Sequence, residues 1–259
     1  EAVEIPARAP EKQSPVRVEL HLTTEQQAAT RAMDENCIRD VNLYLYGDTE
    51  YHFYFPSVSS PLVFNVLPGN YRSYAIANAG QDLGDKNAFK IQFYETAVDV
   101  MESSDAIPMT DRGTLAVDGA GRCTPSSLRV TRSAAKIAYT IEVADAVAPS
   151  LRLRSVQFCN LPLTIRPFDS GSISSTVEAN YYDGEAMPVG NEWRTAGTAY
   201  LFENLQGSVD TITDQKDKCP EYAPACATYL RILAERSADK ALVEYIVYLG
   251  ENNTTAFNF

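Results

Sequence analysis

The chain has 259 residues, 45% of them hydrophobic, with 22 Lys and Arg against 34 Asp and Glu and a formal charge of −12. That length suits one large or two medium domains with real cores, and the negative balance disfavours nucleic acid and anionic membrane surfaces as partners. No apolar run approaches the roughly 18 residues that a membrane-spanning helix requires.

Residues 1–15 hold three prolines and no periodicity, and read equally as a linker or a frayed terminus. Val16, Val18, Leu20 and Leu22 then alternate strictly with Arg17, Glu19 and His21. This period of two predicts a strand with one buried face. The pattern collapses from Thr23 to Arg31 into small and polar residues with no apolar face, and Arg31 is the one basic residue of that stretch. Two readings follow: an ordinary first strand with an exposed loop, or a packed strand that a cut in the loop would free.

Further β patterns succeed it. Val41, Leu43 and Leu45 alternate with Asn42, Tyr44 and Tyr46; Tyr51 to Phe55 is aromatic; Leu62, Phe64 and Val66 form the next face. Pro68-Gly69 is a turn signal before Tyr71 to Ala77. Short strands punctuated in this way predict an antiparallel sandwich or barrel. Phe89 to Met101 approximates helical spacing and predicts a helix beside the sheet. Asp105 to Gly113 reads as loop and Thr114 to Val117 as a short closing strand.

The polar stretch Asp118 to Ser127 marks the best domain boundary, giving a linker at 1–15 and domains at 16–126 and 127–259. The second half opens with strands at Leu128 to Arg132 and Lys136 to Val143. Leu151 and Leu153 start a strand whose phase shifts near Ser155, the sign of a bulge. Residues 166–198 read as loop-rich, Ala199 to Leu205 as a strand, and Ser208 to Pro224 as a polar insertion. Ala227 to Glu235 and Ala241 to Leu249 pair as a hairpin about Ser237-Ala238-Asp239.

Five cysteines show no C-x-x-C spacing, which argues against structural zinc. Cys219 and Cys226 flank PEYAPA, whose prolines favour a turn, so they form a candidate disulfide if the protein is exported, or two unrelated thiols. Cys159 reads as a buried small hydrophobe.

Catalytic patterns are wanting. His21 lies on the outward face of the first strand, and His52 sits in an aromatic strand as a packed residue rather than a base. There is no G-x-S-x-G elbow and no phosphate loop, and Asp118-Gly119-Ala120-Gly121 lacks the helix that a dinucleotide site needs. Glu178 and Asp183 are acids in a chain rich in acids. Asn180 to Gly184 with Trp193 offers either a sugar-stacking surface or a turn with core aromatics. The reading is therefore of a protein that is not an enzyme, with no cofactor and no metal.

Several stretches together resemble the Bacteroidales fimbrillins, the pilus subunits of major and minor fimbriae. They are the first strand with its polar loop, Arg31-Ala32 and Asp34-Glu35 before Ile38 to Tyr46; Pro68-Gly69-Asn70-Tyr71 leading into Tyr74 to Gly80; and Ile107-Pro108-Met109-Thr110. To these add Leu128 to Val143 with Arg132 and Ala134-Ala135-Lys136-Ile137, and Tyr200 to Gly207 followed by Ala225 to Tyr229. The resemblance implies an all-β chain of two tandem Greek-key, transthyretin-like sandwiches with at most one or two short helices. It implies export as a lipoprotein acylated upstream of Glu1, and a place in fimbriae on the outer cell surface serving adhesion. An arginine-specific protease would cut between Arg31 and Ala32. The strand bearing Val16, Val18, Leu20 and Leu22 would leave, and a strand from another fimbrial subunit would fill its groove. A host or bacterial surface ligand is a further expected partner. Members of that family usually continue beyond the strand ending near Leu249 with a strand pair and a C-terminal segment that can act as donor; the sequence stops at Phe259, so either it is cut short or this member lacks that segment. The alternative is a surface lipoprotein binding glycans through Tyr182 and Trp193.

Overall fold

The computed structural model describes residues 13–24, 37–84, 94–95, 107–165, 168, 174–190 and 192–258. The chain divides into two compact units, residues 1–31, 36–88 and 109–131 in the first and 32–35, 89–108 and 132–259 in the second. It is all-β. In chain order the strands are β1 (Val16–Thr24), β2 (Val41–Tyr46), β3 (Glu50–Phe55), β4 (Leu62–Val66), β5 (Gly69–Ala77), β6 (Tyr94–Glu95), β7 (Met109–Val117), β8 (Cys123–Thr124) and β9 (Ser127–Arg132). They continue as β10 (Ala134–Glu142), β11 (Leu151–Cys159), β12 (Leu161–Pro162), β13 (Thr164–Ile165), β14 (Tyr181–Tyr182), β15 (Met187–Pro188), β16 (Arg194–Phe202), β17 (Tyr229–Arg236) and β18 (Leu242–Tyr248). Among the described residues the helical elements are two 3-10 turns, Glu178–Asn180 and Gln215–Asp217.

The first unit is one sheet in the order β3-β2-β5-β7-β9-β1-β4, with β8 against β7. Its two terminal strands meet across the core: the Phe64 ring of β4 lies 4.8 Å from Phe53 and 6.4 Å from Phe55 of β3. The sheet therefore curls over on itself around one apolar cluster that includes Val18, Leu20, Leu43, Leu62, Leu115 and Val130. β2 is buried on both faces. Val41, Leu43 and Leu45 face that core, whereas Asn42 and Tyr44 are bonded from the other side by the turn after β5: Asn42 donates to the Gln81 carbonyl and the Tyr44 hydroxyl to that of Gly84. Burial of those polar groups is tolerated because each finds a partner.

The second unit sets the two-stranded sheet β10-β16 against the four-stranded sheet β15-β11-β17-β18, around Val156, Phe158, Leu201, Leu230 and Ile232. The expected bulge is present: the β11–β17 register slips between Leu153 and Ser155. A buried polar knot ties its loops together. Asn204 donates to the Cys226 carbonyl and to the Thr228 hydroxyl, each at 2.9 Å, and Thr228 donates to the Asn160 carbonyl at 2.8 Å. Asn204 and Thr228 are both fully buried, so this network joins the Tyr200 to Gly207 and Ala225 to Tyr229 stretches by satisfied hydrogen bonds. Lys218 is buried too, its ammonium donating to the carbonyls of Asn252 and Ala256 and lying 4.9 Å from the Phe257 ring centre. Burial pushes its pKa down.

Several boundaries differ from the sequence reading. β7 begins at Met109 rather than Thr114, because its whole length pairs with β5, from Gly69 opposite Val117 to Ala77 opposite Met109. β16 begins at Arg194 rather than Ala199, since the ladder with β10 extends to Glu142 opposite Arg194. Ser127 to Thr131 belong to the first unit, beyond the boundary drawn at residue 126, because β9 pairs with β1. Of the run Phe89 to Met101, the described part is β6, a strand paired with β13, not a helix; the remainder lies outside the described residues.

Candidate functional site

β1 is held by different neighbours along its length. From Val16 opposite Val66 to Leu20 opposite Leu62 it runs antiparallel to β4. From His21 beside Ser127 to Thr24 beside Val130 it runs parallel to β9. The hand-over is marked by His21 N–H donating to the Ser126 carbonyl at 3.1 Å, and the Thr23 hydroxyl donates to that of Leu128 at 3.2 Å. Since the order ends β9-β1-β4, β1 is the strand that joins β4 to the rest of the sheet.

Its side chains alternate as the pattern demanded. Val18 and Leu20 have no exposed surface, and Val16 and Leu22 are half-buried against the same cluster. Arg17, Glu19, His21 and Thr23 are exposed. Arg17 pairs with Glu19 at 3.2 Å in the open, a contact of small energetic worth. The strand is therefore bound by its apolar side and its backbone, not by charge.

A turn from Asp118 to Arg122 presses on the backbone of this strand. A Cβ on Gly121 would stand 2.1 Å from the Arg17 carbonyl oxygen, and Gly121 has φ +79°, a conformation that suits glycine. The turn is built by Asp118. Its carboxylate accepts from the N–H groups of Ala120 and Arg122 at 2.9 Å each and from the Arg122 side chain at 2.8 Å. Those bonds from the Arg122 backbone and side chain hold the Asp118 pKa below its usual 3.8. The sign is that of a depressed carboxylate: the contribution is complete above pH 3.8 and is lost as pH falls through the lower folded-state value. The expected result is that acidification below that range loosens β1 sooner in the native chain than other parts of the first unit. Hydrogen exchange of the β1 amides across an acid series measures it; an Asp118→Asn variant whose β1 amides show the same acid dependence as the native chain would refute it. Sequence reading took this stretch as a domain boundary and as a dinucleotide loop without its helix, although its Asp-Gly-Ala-Gly composition was a turn signal.

Arg31 and Ala32, where the resemblance places cleavage, lie outside the described residues. Cys219 and Cys226 are free thiols, Cys219 half-buried and Cys226 buried. No bond joins them, and they sit in different surroundings: the nearby Tyr248 feels Cys219, whereas Cys226 feels Glu178. Cys159 is buried, its thiol pushed up to about 11 by burial and the nearby Asp183. His52 is packed, its ring stacked on Tyr44 at 4.4 Å and its Nε2 3.1 Å from the Asn42 amide oxygen. Asp183 accepts from the Asn160 N–H and lies 3.9 Å from the Arg231 guanidinium, while Glu178 begins an exposed 3-10 turn. Tyr182 packs against the core of the second unit, and Trp193 is 47% exposed just before β16. Among the described residues no group of three or more His, Cys, Asp or Glu side chains could hold a metal.

Residues 199–259 match a family described as a domain of unknown function, DUF4906. No curated protein sequence matches the chain. Among solved structures, a "putative cell adhesion protein" from Bacteroides eggerthii aligns with a TM-score of 0.58 and 12% identity over 93% of this chain and 80% of its own. Another of the same description, from Parabacteroides distasonis, aligns with a TM-score of 0.59 and 9% identity over 93% of this chain and 86% of its own. At such identities the likeness is one of fold, and it agrees with the fimbrillin-like resemblance of the sequence.

Proposed function

We propose that this chain is an adhesion-related, fimbria-like subunit of the cell surface, non-enzymatic, exported as a lipoprotein and assembled by exchange of its first strand. The observation that carries this reading is β1 itself, a strand seated in the core by Val18 and Leu20 and linking β4 to β9. A polar stretch ending in Arg31 follows it in sequence. The two structural neighbours described as cell adhesion proteins support the surface role.

The energetics suit exchange. When β1 leaves, four apolar side chains at about 1.5–3 kcal/mol each and ladder bonds at about 0.5–1.5 each are lost. A strand of equal pattern from a second subunit restores them, so addition is favourable once the first strand is free. The replacement must run as β1 does, antiparallel to β4 and parallel to β9. A trypsin-type protease at low dose should cut first after Arg31, and the nicked protein should then form oligomers. Cuts scattered elsewhere with the Arg31 bond resistant, or a nicked chain that stays monomeric with β1 absent, would refute the proposal.

A further inference from the structure

Between the end of β1 and the start of β2 the chain carries two basic residues, Arg31 and Arg39. A protease that reads arginine meets both, and the side chain of Arg39 is exposed. Whether a bond can be cut is decided by the burial and hydrogen bonding of its backbone, not by its place in the sequence.

The backbone around Arg39 is fastened to the turn that follows β5. The Asn78 side chain takes two of its peptide groups: Oδ1 accepts from the Arg39 N–H at 2.8 Å, and Nδ2 donates to the Cys37 carbonyl at 2.9 Å. The Asn78 N–H donates to the Asp40 carbonyl at 3.0 Å, and the Val58 N–H to the Arg39 carbonyl at 3.2 Å. Asp40 completes the interlock, its carboxylate accepting from the N–H groups of Ala79 and Gly80 at 3.1 and 3.0 Å. Asp40 and Asn78 are both buried, and the next residue, Val41, is buried and paired with Ala77 and Phe55. Asn78 holds its place with φ +61°, a left-handed backbone that Asn adopts more readily than most residues.

A protease takes up its substrate as an extended run on both sides of the scissile bond, so a bond fastened on each side is cut only after local opening. We infer that the Asn78–Asp40 interlock withholds the Arg39–Asp40 bond from an arginine-directed protease and confines cleavage to the chain ahead of Cys37. The inference rests on the reading that a cut after Arg31 frees β1, and it adds what stops the same enzyme at the next arginine. A cut after Arg39 would part Asp40 from the residues that Asn78 holds. Asp40 leads directly into β2, the strand buried on both faces, so that cut would loosen the core instead of releasing one strand from it.

Trypsin digestion of the full chain, with each new N-terminus followed over time by mass spectrometry, tests it. In Asn78→Gly the fragment beginning at Asp40 should appear about tenfold faster or more than in the native chain. Glycine suits the left-handed backbone and leaves the residues at the scissile bond unchanged, so only the two side-chain bonds are lost. Cuts after Arg72, in the middle of β5 and paired on both sides, report opening of the whole unit and should keep their native rate. Asn78→Asp can still accept from the Arg39 N–H but cannot donate to Cys37, and should give a smaller rise at the same bond. Equal rates after Arg39 in the native chain and the folded variants, or a rise after Arg72 that matches the rise after Arg39, would each overturn the inference. Resistance of the Arg31 bond bears on strand release alone, because the rates compared are those at Arg39 and Arg72.

Discussion

Leu20→Ala should cost the first unit about 2–5 kcal/mol, the range for removing a large aliphatic side chain from a closed core. Leu20 has no exposed surface, sits opposite Leu62 of β4, and belongs to the cluster that both ends of the sheet enclose. The strands around it form one sheet closed over the core, so the space it leaves is filled only in part. Glu19→Ala, on the exposed face of the same strand, should change stability by no more than about 0.5 kcal/mol. Denaturant titrations of the two variants measure the contrast, and equal effects would mean that β1 is not bound by its apolar side. The same residue governs exchange. A peptide spanning Val16 to Thr24 should enter a nicked chain, whereas the peptide with Leu20→Asp should not, because the seat would have to bury an unpaired carboxylate. Fluorescence anisotropy of the labelled peptides reads this directly; equal uptake of both would count against a core-seated replacement strand.

Gly121→Ala should loosen β1 without touching it in sequence. A left-handed backbone at a non-glycine residue costs roughly 1–2 kcal/mol, and here the new Cβ would also meet the Arg17 carbonyl at 2.1 Å. Backbone cannot swing aside as a flexible side chain can, so either the Asp118 turn or β1 must move. The expected result is a first unit destabilised by about 2 kcal/mol or more and faster strand exchange in the nicked chain. Gly119→Ala in the same turn is the control, since a Cβ there meets nothing within 4 Å. Hydrogen exchange of the β1 amides, compared between the two variants, measures the effect; no difference between them would show that the turn does not restrain the strand.

The strands that alternate cleanly were legible in the sequence because burial of one face is written into every second residue, as in β1, β4 and β17. The hairpin of β17 and β18 was legible from two apolar runs on either side of Ser237-Ala238-Asp239. The first half of β7 was not, because Thr110 to Gly113 carry no alternation of their own and become strand only through the ladder with β5. The double burial of β2 was equally hidden, since Asn42 and Tyr44 read as solvent-facing until the turn after β5 folds over them.

By itself the sequence determined that the chain is all-β, that β1 offers one apolar side, and that no motif calls for a catalytic or metal site. Only the tertiary structure decided that β1 bridges β9 and β4 and that Gly121 leans on Arg17. The division has a physical cause. Periodicity is a local property of the backbone and survives in the order of residues, whereas the identity of a strand's neighbours depends on contacts between segments far apart in the chain, which no local pattern encodes.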